Sequence, residues 1–401
     1  MVSSMSKIPI ILISFIMALS YFFASSMYAP SLPDIESSLH TTDSLAQQSL
    51  SFFFIALAFS QLSCGPLSER YGRKPVALVS AIIFLAGSIV CLSSINIHTL
   101  LLGRVIQGLG VGGLYLLCRT VLQDSFNKSE LMGILAWYGV LFMGLPGLTP
   151  VIGGYIAGHY GWQGNFFFMA VLAVLILLVV IFKQKETIAK KNPHAIKPKQ
   201  MLKDYALIIS HPIFLSYLAM MISGTSCILL FQVTGSFVAQ NQYGLSVEQF
   251  SHGMLVLMAA SVSSRLFWNS FLKTRISEIM TLALGVLIQI AGGFVALYSV
   301  TIQSYFILVT AFALFAFGST FLTTVASVSA LYLFPNHRGQ VGAIYGELQM
   351  LGAFGFTLGL SALPTDQINM VIASWLLIAL STVALLKITF TLKQDKEETT
   401  P

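Results

Sequence analysis

Charge is what this sequence has least of. Only 9% of its 401 residues are Asp, Glu, Lys or Arg, against roughly 25% in ordinary soluble domains. So sparse a set cannot coat a water-exposed surface of this size. With 56% hydrophobic residues and a mean hydropathy of +0.83, the fitting solvent is lipid. Cysteine is scarce as well: Cys64, Cys91, Cys118 and Cys227 stand singly in apolar runs, a spacing that gives no metal pattern and reads as packing. The seven His are scattered, and no clustered His, Asp or Glu offers a hydrolytic or transferase site. Nor is there a Gly-x-x-x-x-Gly-Lys-Ser/Thr loop to cradle a nucleotide. An enzyme is therefore not expected, nor any cofactor. The net charge of +6 is spread over short loops without interleaved aromatics, which argues against nucleic acid as a partner.

What the chain does have is apolar runs of roughly 20 residues, the length that crosses a ~30 Å hydrocarbon core at 1.5 Å per residue. They predict spans at 8–29, 46–67, 75–94, 99–122, 130–157, 164–183, 211–239, 247–270, 278–299, 303–332, 340–362 and 367–390. The first resembles a secretory signal, with Lys7 before the apolar run and Ala24, Ser25 and Ser26 after it. It is read as a retained span because eleven more follow. If the N-terminus is cytoplasmic, none of the 21 Lys and Arg falls in an outer loop. They crowd the inner side, as the positive-inside rule requires, so both termini are expected in the cytoplasm. Residues 184–206 carry six lysines and two prolines with almost no apolar periodicity, which reads as a hydrophilic linker. Its lysines either set orientation in a solvated loop or meet phospholipid headgroups. The fold expected is all-α integral membrane, with twelve transmembrane helices in two six-helix bundles: residues 1–183, a cytoplasmic linker 184–207, and residues 208–401.

Three strings carry chemistry. Between spans 2 and 3 stands Gly65-Pro66-Leu67-Ser68-Glu69-Arg70-Tyr71-Gly72-Arg73-Lys74-Pro75, read as a tight charged inner loop in which the glycines permit unusual backbone geometry and Pro75 suits a first helical turn. In span 4, Gly108 and Gly112 form a small-xxx-small pair that admits a close neighbour. Arg104 in the same span is costly in lipid, at least about 2.5–3.5 kcal/mol, so it should face a partner or a wet cavity, or else snorkel to the outer interface. Span 5 holds Gly144, Pro146, Gly147, Pro150, Gly153 and Gly154 within eleven residues. That density is tolerated only where neighbouring helices re-satisfy the backbone.

The first string resembles the loop signature of the major facilitator superfamily, with Glu69 in place of the usual Asp. The resemblance implies two bundles with a substrate site near the midplane. It also implies an inner-face latch holding the outward-facing state, formed by Gly65, Glu69, Arg70, Gly72, Arg73 and Asp124, in which the acid meets Arg73 and Asp124 and faces the positive end of span 11. Arg104-Val105-Ile106-Gln107-Gly108-Leu109-Gly110 resembles the family's Arg-x-x-Gln-Gly-x-Gly motif, whose Arg is implicated in proton coupling. The span-5 string is similar to the signature of exporting drug:proton antiporters, with Thr149 where a glycine is usual. Met27 to Asp34, Cys118 to Asp124, and Gly161-Trp162-Gln163 resemble the bicyclomycin-resistance (Bcr/CflA-type) branch, over most of the N-terminal half.

That branch usually carries an acid where this chain has Ser26. Span 1 therefore has no carboxylate in its core, and Asp34 and Glu36 stand at its outer end. One embedded acid remains, Glu347, about 12 Å along span 11 from Gly339. Desolvation disfavours a charged carboxyl, so Glu347 is either a proton carrier or a member of an ion pair with Arg265 or Arg73. Arg104, Glu347 and Asp34 are thus the proton-coupling candidates. Tyr21, Ser25, Ser26, Gln107, Tyr115, Thr225 and Gln232 are candidates for the substrate cavity, which the resemblance places along spans 1, 4, 7 and 10. The expected function is export of small amphipathic molecules, drugs or a metabolite, by proton antiport with alternating access. A proton-coupled or facilitative importer of a small nutrient is the alternative. The partners expected are that small molecule, protons and the inner-membrane bilayer, with the protein a monomer.

Overall fold

Backbone N–H and C=O groups find no partner in hydrocarbon, so an apolar chain must satisfy them within each segment. A computed structural model shows this outcome over residues 8–188, 191, 206–334 and 338–399, which are almost wholly helical. The chain divides into two compact units, Met1–Lys197 and Pro198–Pro401. The first holds α1 (Ile8–Ser26), a single turn at Ala29–Ser31, α2 (Leu32–Ser38), α3 (Asp43–Tyr71), α4 (Arg73–Leu92), α5 (Ile97–Ser125), α6 (Lys128–Tyr160) and α7 (Gln163–Phe182). The second holds α8 (Pro212–Phe237), α9 (Val247–Phe267), α10 (Glu278–Ile302), α11 (Tyr305–Tyr332), α12 (Arg338–Leu360) and α13 (Gln367–Thr399). Most of the lysine-rich linker lies outside the described residues.

Local chemistry sets the ends. Asn96 accepts the Thr99 N–H at the start of α5, and Asn127 with Glu130 forms a reciprocal capping box on α6, satisfying donors that no helical carbonyl reaches. The α3–α4 connection departs from the expected loop. α3 continues through Pro66 to Tyr71, and α4 begins at Arg73, leaving Gly72 alone at φ 113° to turn the chain. Only glycine holds that conformation without strain.

Ten helical stretches of 20 to 31 residues are long and apolar enough to cross a membrane among the described residues. The stretches read as spans five and eleven are helical too, as α6 and α12. Many large apolar side chains point outward, including Phe59 at 66%, Phe167 at 60% and Phe306 at 80% exposure. Water would penalise such a surface and lipid does not.

In the first unit α5 lies at the centre. A Cβ on Gly108 or Gly112 would fall on the α3 backbone at Phe53 or Leu57, and one on Gly110 would fall on α4 at Phe84. Two glycine faces thus bring α3 and α4 against opposite sides of one helix, and dispersion contacts supply the adhesion that the hydrophobic effect does not give in lipid. In the second unit Phe231 stacks on Phe250 at 5.5 Å and packs against Phe312 at 5.2 Å between ring centroids. Among the polar groups buried nearby, Gln289 donates to Ser319 Oγ at 3.0 Å and accepts from Ser381 at 2.9 Å, whereas Tyr305 Oη and Trp375 Nε1 have no hydrogen-bond partner among the described residues.

Candidate functional site

The string Gly65 to Pro75 builds a compact polar cluster. Arg73 Nε donates to Asp124 Oδ2 at 2.9 Å, and its Nη1 donates to Ser68 Oγ at 2.6 Å. The two side chains of this ion pair, the one pair among the described residues, are only 9% and 21% exposed. Glu69 departs from the expected arrangement. It is exposed, and the guanidinium turns to Asp124 and Ser68 instead. The cause is the helical path of 65–71: Ser68, on the buried face, is the side chain that α3 presents to Arg73, and the next residue points outward. Arg70 is likewise exposed, with its guanidinium 5.3 Å from the Tyr71 ring. Gly65 lies within α3, not in a loop.

Two further groups that sequence reasoning missed complete the cluster. Past the end of α7, Glu186 accepts the backbone N–H groups of Arg73 and Lys74, and Thr187 Oγ1 donates to Asp124 Oδ2 at 3.2 Å. In sequence these residues stand at the head of the linker, with no periodicity to mark them. Asp124→Asn keeps an acceptor but leaves the largely buried Arg73 guanidinium without its counter-charge, so it should cost about 1–3 kcal/mol. Arg73→Ala, which releases Ser68 and Asp124 together, should cost more, and thermal melting of the two purified variants gives the ranking.

A second centre lies inside the unit. Arg104 is 0% exposed. Nη1 donates to Gln107 Oε1 at 2.6 Å, Nη2 to the Ala24 carbonyl of α1 at 2.9 Å, and Nε to the Ser49 carbonyl of α3 at 3.4 Å. The guanidinium carbon also lies 4.5 Å from the centroid of the Tyr28 ring and 4.1 Å from that of Phe53. Gln107 in turn donates to Ser88 of α4 at 2.8 Å. The arginine is held by carbonyl dipoles and ring faces, with no carboxylate among these partners. Desolvated cation–π contacts of this kind are worth about 2 kcal/mol or more. Snorkelling to the outer interface is thereby ruled out, because the fork is spent on three inward partners.

The proline- and glycine-rich string forms part of the continuous helix α6. Thr149 Oγ1 donates to the Leu145 carbonyl at 2.9 Å and bonds Ser26 Oγ at 2.7 Å. The two positions that depart from the antiporter pattern therefore meet. A Cβ on Gly153 would fall on the Met27 carbonyl, so the glycine lets α6 lie directly on the end of α1. Gly147, Pro150 and Gly154 are buried, Gly144 is half-buried and Pro146 is exposed.

The cavity candidates separate into two groups. Ser25, Ser26, Gln107 and Gln232 are buried, at 8%, 6%, 0% and 4% exposure; the first three bond to helix carbonyls or neighbouring side chains, whereas Gln232 Nε2 has no hydrogen-bond partner among the described residues. The signal that sorts them was absent from the sequence, since short polar side chains serve both uses. Tyr21 and Tyr115 are half-buried and stacked, 4.3 Å between centroids, and Arg119 donates to Tyr115 Oη at 3.1 Å. Thr225 is half-buried and accepts from Gln349.

Glu347 lies half-buried on α12, and no hydrogen bond or ion pair joins it to a described residue. The expected pairing with Arg265 or Arg73 is not made: Arg265 donates to Thr324 at 3.4 Å, and Arg73 is taken by Asp124. Asp34 is half-buried in the first turn of α2. No group of His, Cys, Asp or Glu among the described residues is arranged to hold a metal ion.

Lipid-facing helices around buried polar centres define a multi-pass membrane transporter. The chain belongs to the Major Facilitator Superfamily, whose family model matches residues 14–359. It is 25% identical to the bicyclomycin resistance protein homolog of Haemophilus influenzae over 84% of either chain. It is 27% identical to the multidrug resistance protein MdtL of Klebsiella pneumoniae over 94% of this chain and 93% of that one. Among solved structures it is similar in fold to a bacterial homolog of the human lysosomal transporter Spinster in an inward-facing conformation, with a TM-score of 0.78 at 14% identity over 98% of both chains. A D-xylose–proton symporter matches with a TM-score of 0.70 at 14% identity, over 95% of this chain and 97% of that one.

Proposed function

We propose that this transporter exports small amphipathic molecules, drugs or a metabolite, in exchange for protons. The observation that carries the reading is the similarity, over most of the chain, to relatives named for multidrug and bicyclomycin resistance. On this reading twelve spans form two six-helix bundles, residues 1–183 and 208–401, joined by a cytoplasmic linker at 184–207, with both termini inside. The bundles rock to expose the substrate alternately to the two sides of the inner membrane. The Arg73–Asp124 cluster, with Gly65, Glu69, Arg70 and Gly72, is the inner latch. Arg104 and Glu347 are the coupling groups, with Asp34 a third candidate at the outer end of span 1. Tyr21, Tyr115 and Thr225, which are half-buried, and Gln232, whose buried Nε2 has no hydrogen-bond partner among the described residues, are the leading substrate contacts among the seven candidates. The protein works as a monomer.

One observation favours a second reading, a facilitative or proton-coupled importer. The Ser26–Thr149 hydroxyl pair is neutral and self-satisfied, so span 1 offers no proton carrier there. A deletion strain of the host separates the two when screened for drug susceptibility and metabolite retention, with and without an uncoupler. Solute retained by the deletion strain, and equally by the uncoupled parent, supports export. A nutrient that the deletion strain fails to take up supports import.

A further inference from the structure

We propose that Glu186 is a positioning residue of the inner-face latch, tying the segment after α7 to the charged turn between α3 and α4. The inference deepens the alternating-access reading and rests on it.

The first N–H groups of a helix have no carbonyl to bond within the helix, and they form the positive end of its dipole. At the start of α4 that role is filled from far along the chain. Glu186 Oε1 accepts Arg73 N–H at 2.8 Å, and Oε2 accepts Lys74 N–H at 3.3 Å. The same carboxylate is fixed from its other side, because Oε1 also accepts the N–H groups of Thr187 at 3.1 Å and Ile188 at 3.2 Å. Four backbone donors thus converge on one side chain, and bonds from N–H to an ionised oxygen are stronger than neutral ones.

Two independent features make this seat specific. Gly72 lies directly against it: a Cβ there would fall on Glu186 Oε2. The glycine therefore leaves room for the carboxylate as well as turning the chain. The second feature is closure. Arg73 holds Asp124, Asp124 accepts from Thr187, and Thr187 is the neighbour of Glu186. The start of α4, the end of α5 and the segment after α7 are joined in one ring of bonds. Lys74 Nζ adds a bond to the Ile181 carbonyl at 2.9 Å on the same side. Because the carboxylate holds the first turn of α4, it sets where the Arg73 guanidinium stands, and a displacement of the linker reaches the latch through Glu186.

The test uses the full-length purified protein with Glu186→Ala, Glu186→Gln and, as a control, Lys185→Ala at an exposed neighbour. Three quantities are read: thermal stability, kcat and KM for exchange of a solute identified by the screen above, and the inward-open fraction from spin-label distances on the inner face. Coupling between such elements commonly amounts to 5–150-fold in an equilibrium. Glu186→Ala is expected to change the inward-open fraction about fivefold and to lower kcat about tenfold, with KM within about twofold. Glu186→Gln keeps one acceptor oxygen and should recover part of both, and Lys185→Ala should match the parent. Should Glu186→Ala fail to fold, Glu186→Gln alone is expected to show a reduced form of the same shift. An unchanged inward-open fraction, or a loss confined to melting temperature, overturns the proposal. If the parent moves no solute but the fraction still shifts, the transport reading fails and the positioning role stands.

Discussion

Glu347→Gln is expected to uncouple transport from the proton gradient. Glu347 is the acid embedded in the predicted spans, and it lies half-buried on α12 without a hydrogen bond or ion pair to any described residue. Glutamine keeps its shape and cannot titrate. If one proton crosses per substrate, each unit of pH difference supplies about 1.4 kcal/mol, which sustains about a tenfold concentration ratio of an uncharged solute. In proteoliposomes under a one-unit gradient, that ratio should fall to near unity in the variant. Substrate counterflow, which needs no net proton movement, should stay within about threefold of the parent. Accumulation still near tenfold would sink the coupling role and shift attention to Asp34 or Arg104.

Arg104 carries the second large effect, and here fold and function separate by the choice of variant. Lysine keeps the charge but presents a single point of donation, so it cannot reach the Gln107 oxygen and the Ala24 and Ser49 carbonyls together. Arg104→Lys should therefore fold, with transport reduced about 30-fold, equivalent to about 2 kcal/mol. Alanine removes the cation from between Tyr28 and Phe53 and leaves a cavity where α1, α3 and α5 meet. The loss should be about 3 kcal/mol or more, visible as a fall in melting temperature of several degrees. Parent-like transport by Arg104→Lys would show instead that Arg104 acts by charge alone.

Much of the helical architecture was legible because the bilayer simplifies the problem. Length and apolarity decide which segments can cross, and ten helical stretches satisfy both. Boundaries were less legible. The inner string Gly65 to Pro75 reads as a loop, yet helix runs through Pro66 up to Tyr71. A proline ends a helix in water more reliably than in a membrane bundle, where neighbours re-satisfy the freed carbonyl.

The site was legible where a residue is intrinsically expensive. A charge in a span demands partners, so Arg104 and Glu347 stand out from the sequence alone. Identifying those partners was another matter. The Ala24 and Ser49 carbonyls belong to residues whose side chains carry no signal, and Glu69 and Glu186 are indistinguishable as isolated acids. Only the path of α3 turns Glu69 outward, and only the return of the chain after α7 brings Glu186 to Gly72. Cavity serines were the least legible of all, because a hydroxyl bonded to its own helix looks the same in sequence as one facing substrate.

By itself the sequence determined the solvent, the helical class and the few positions where charge is held at a cost, since each of these is a property of a residue or a run. The tertiary structure decided which polar groups meet: Ser26 with Thr149, Arg73 with Asp124, and Glu186 with the first turn of α4. Hydrogen bonds act over about 3 Å, whereas these partners lie 51 to 123 residues apart along the chain. Such contacts exist only once helices have packed.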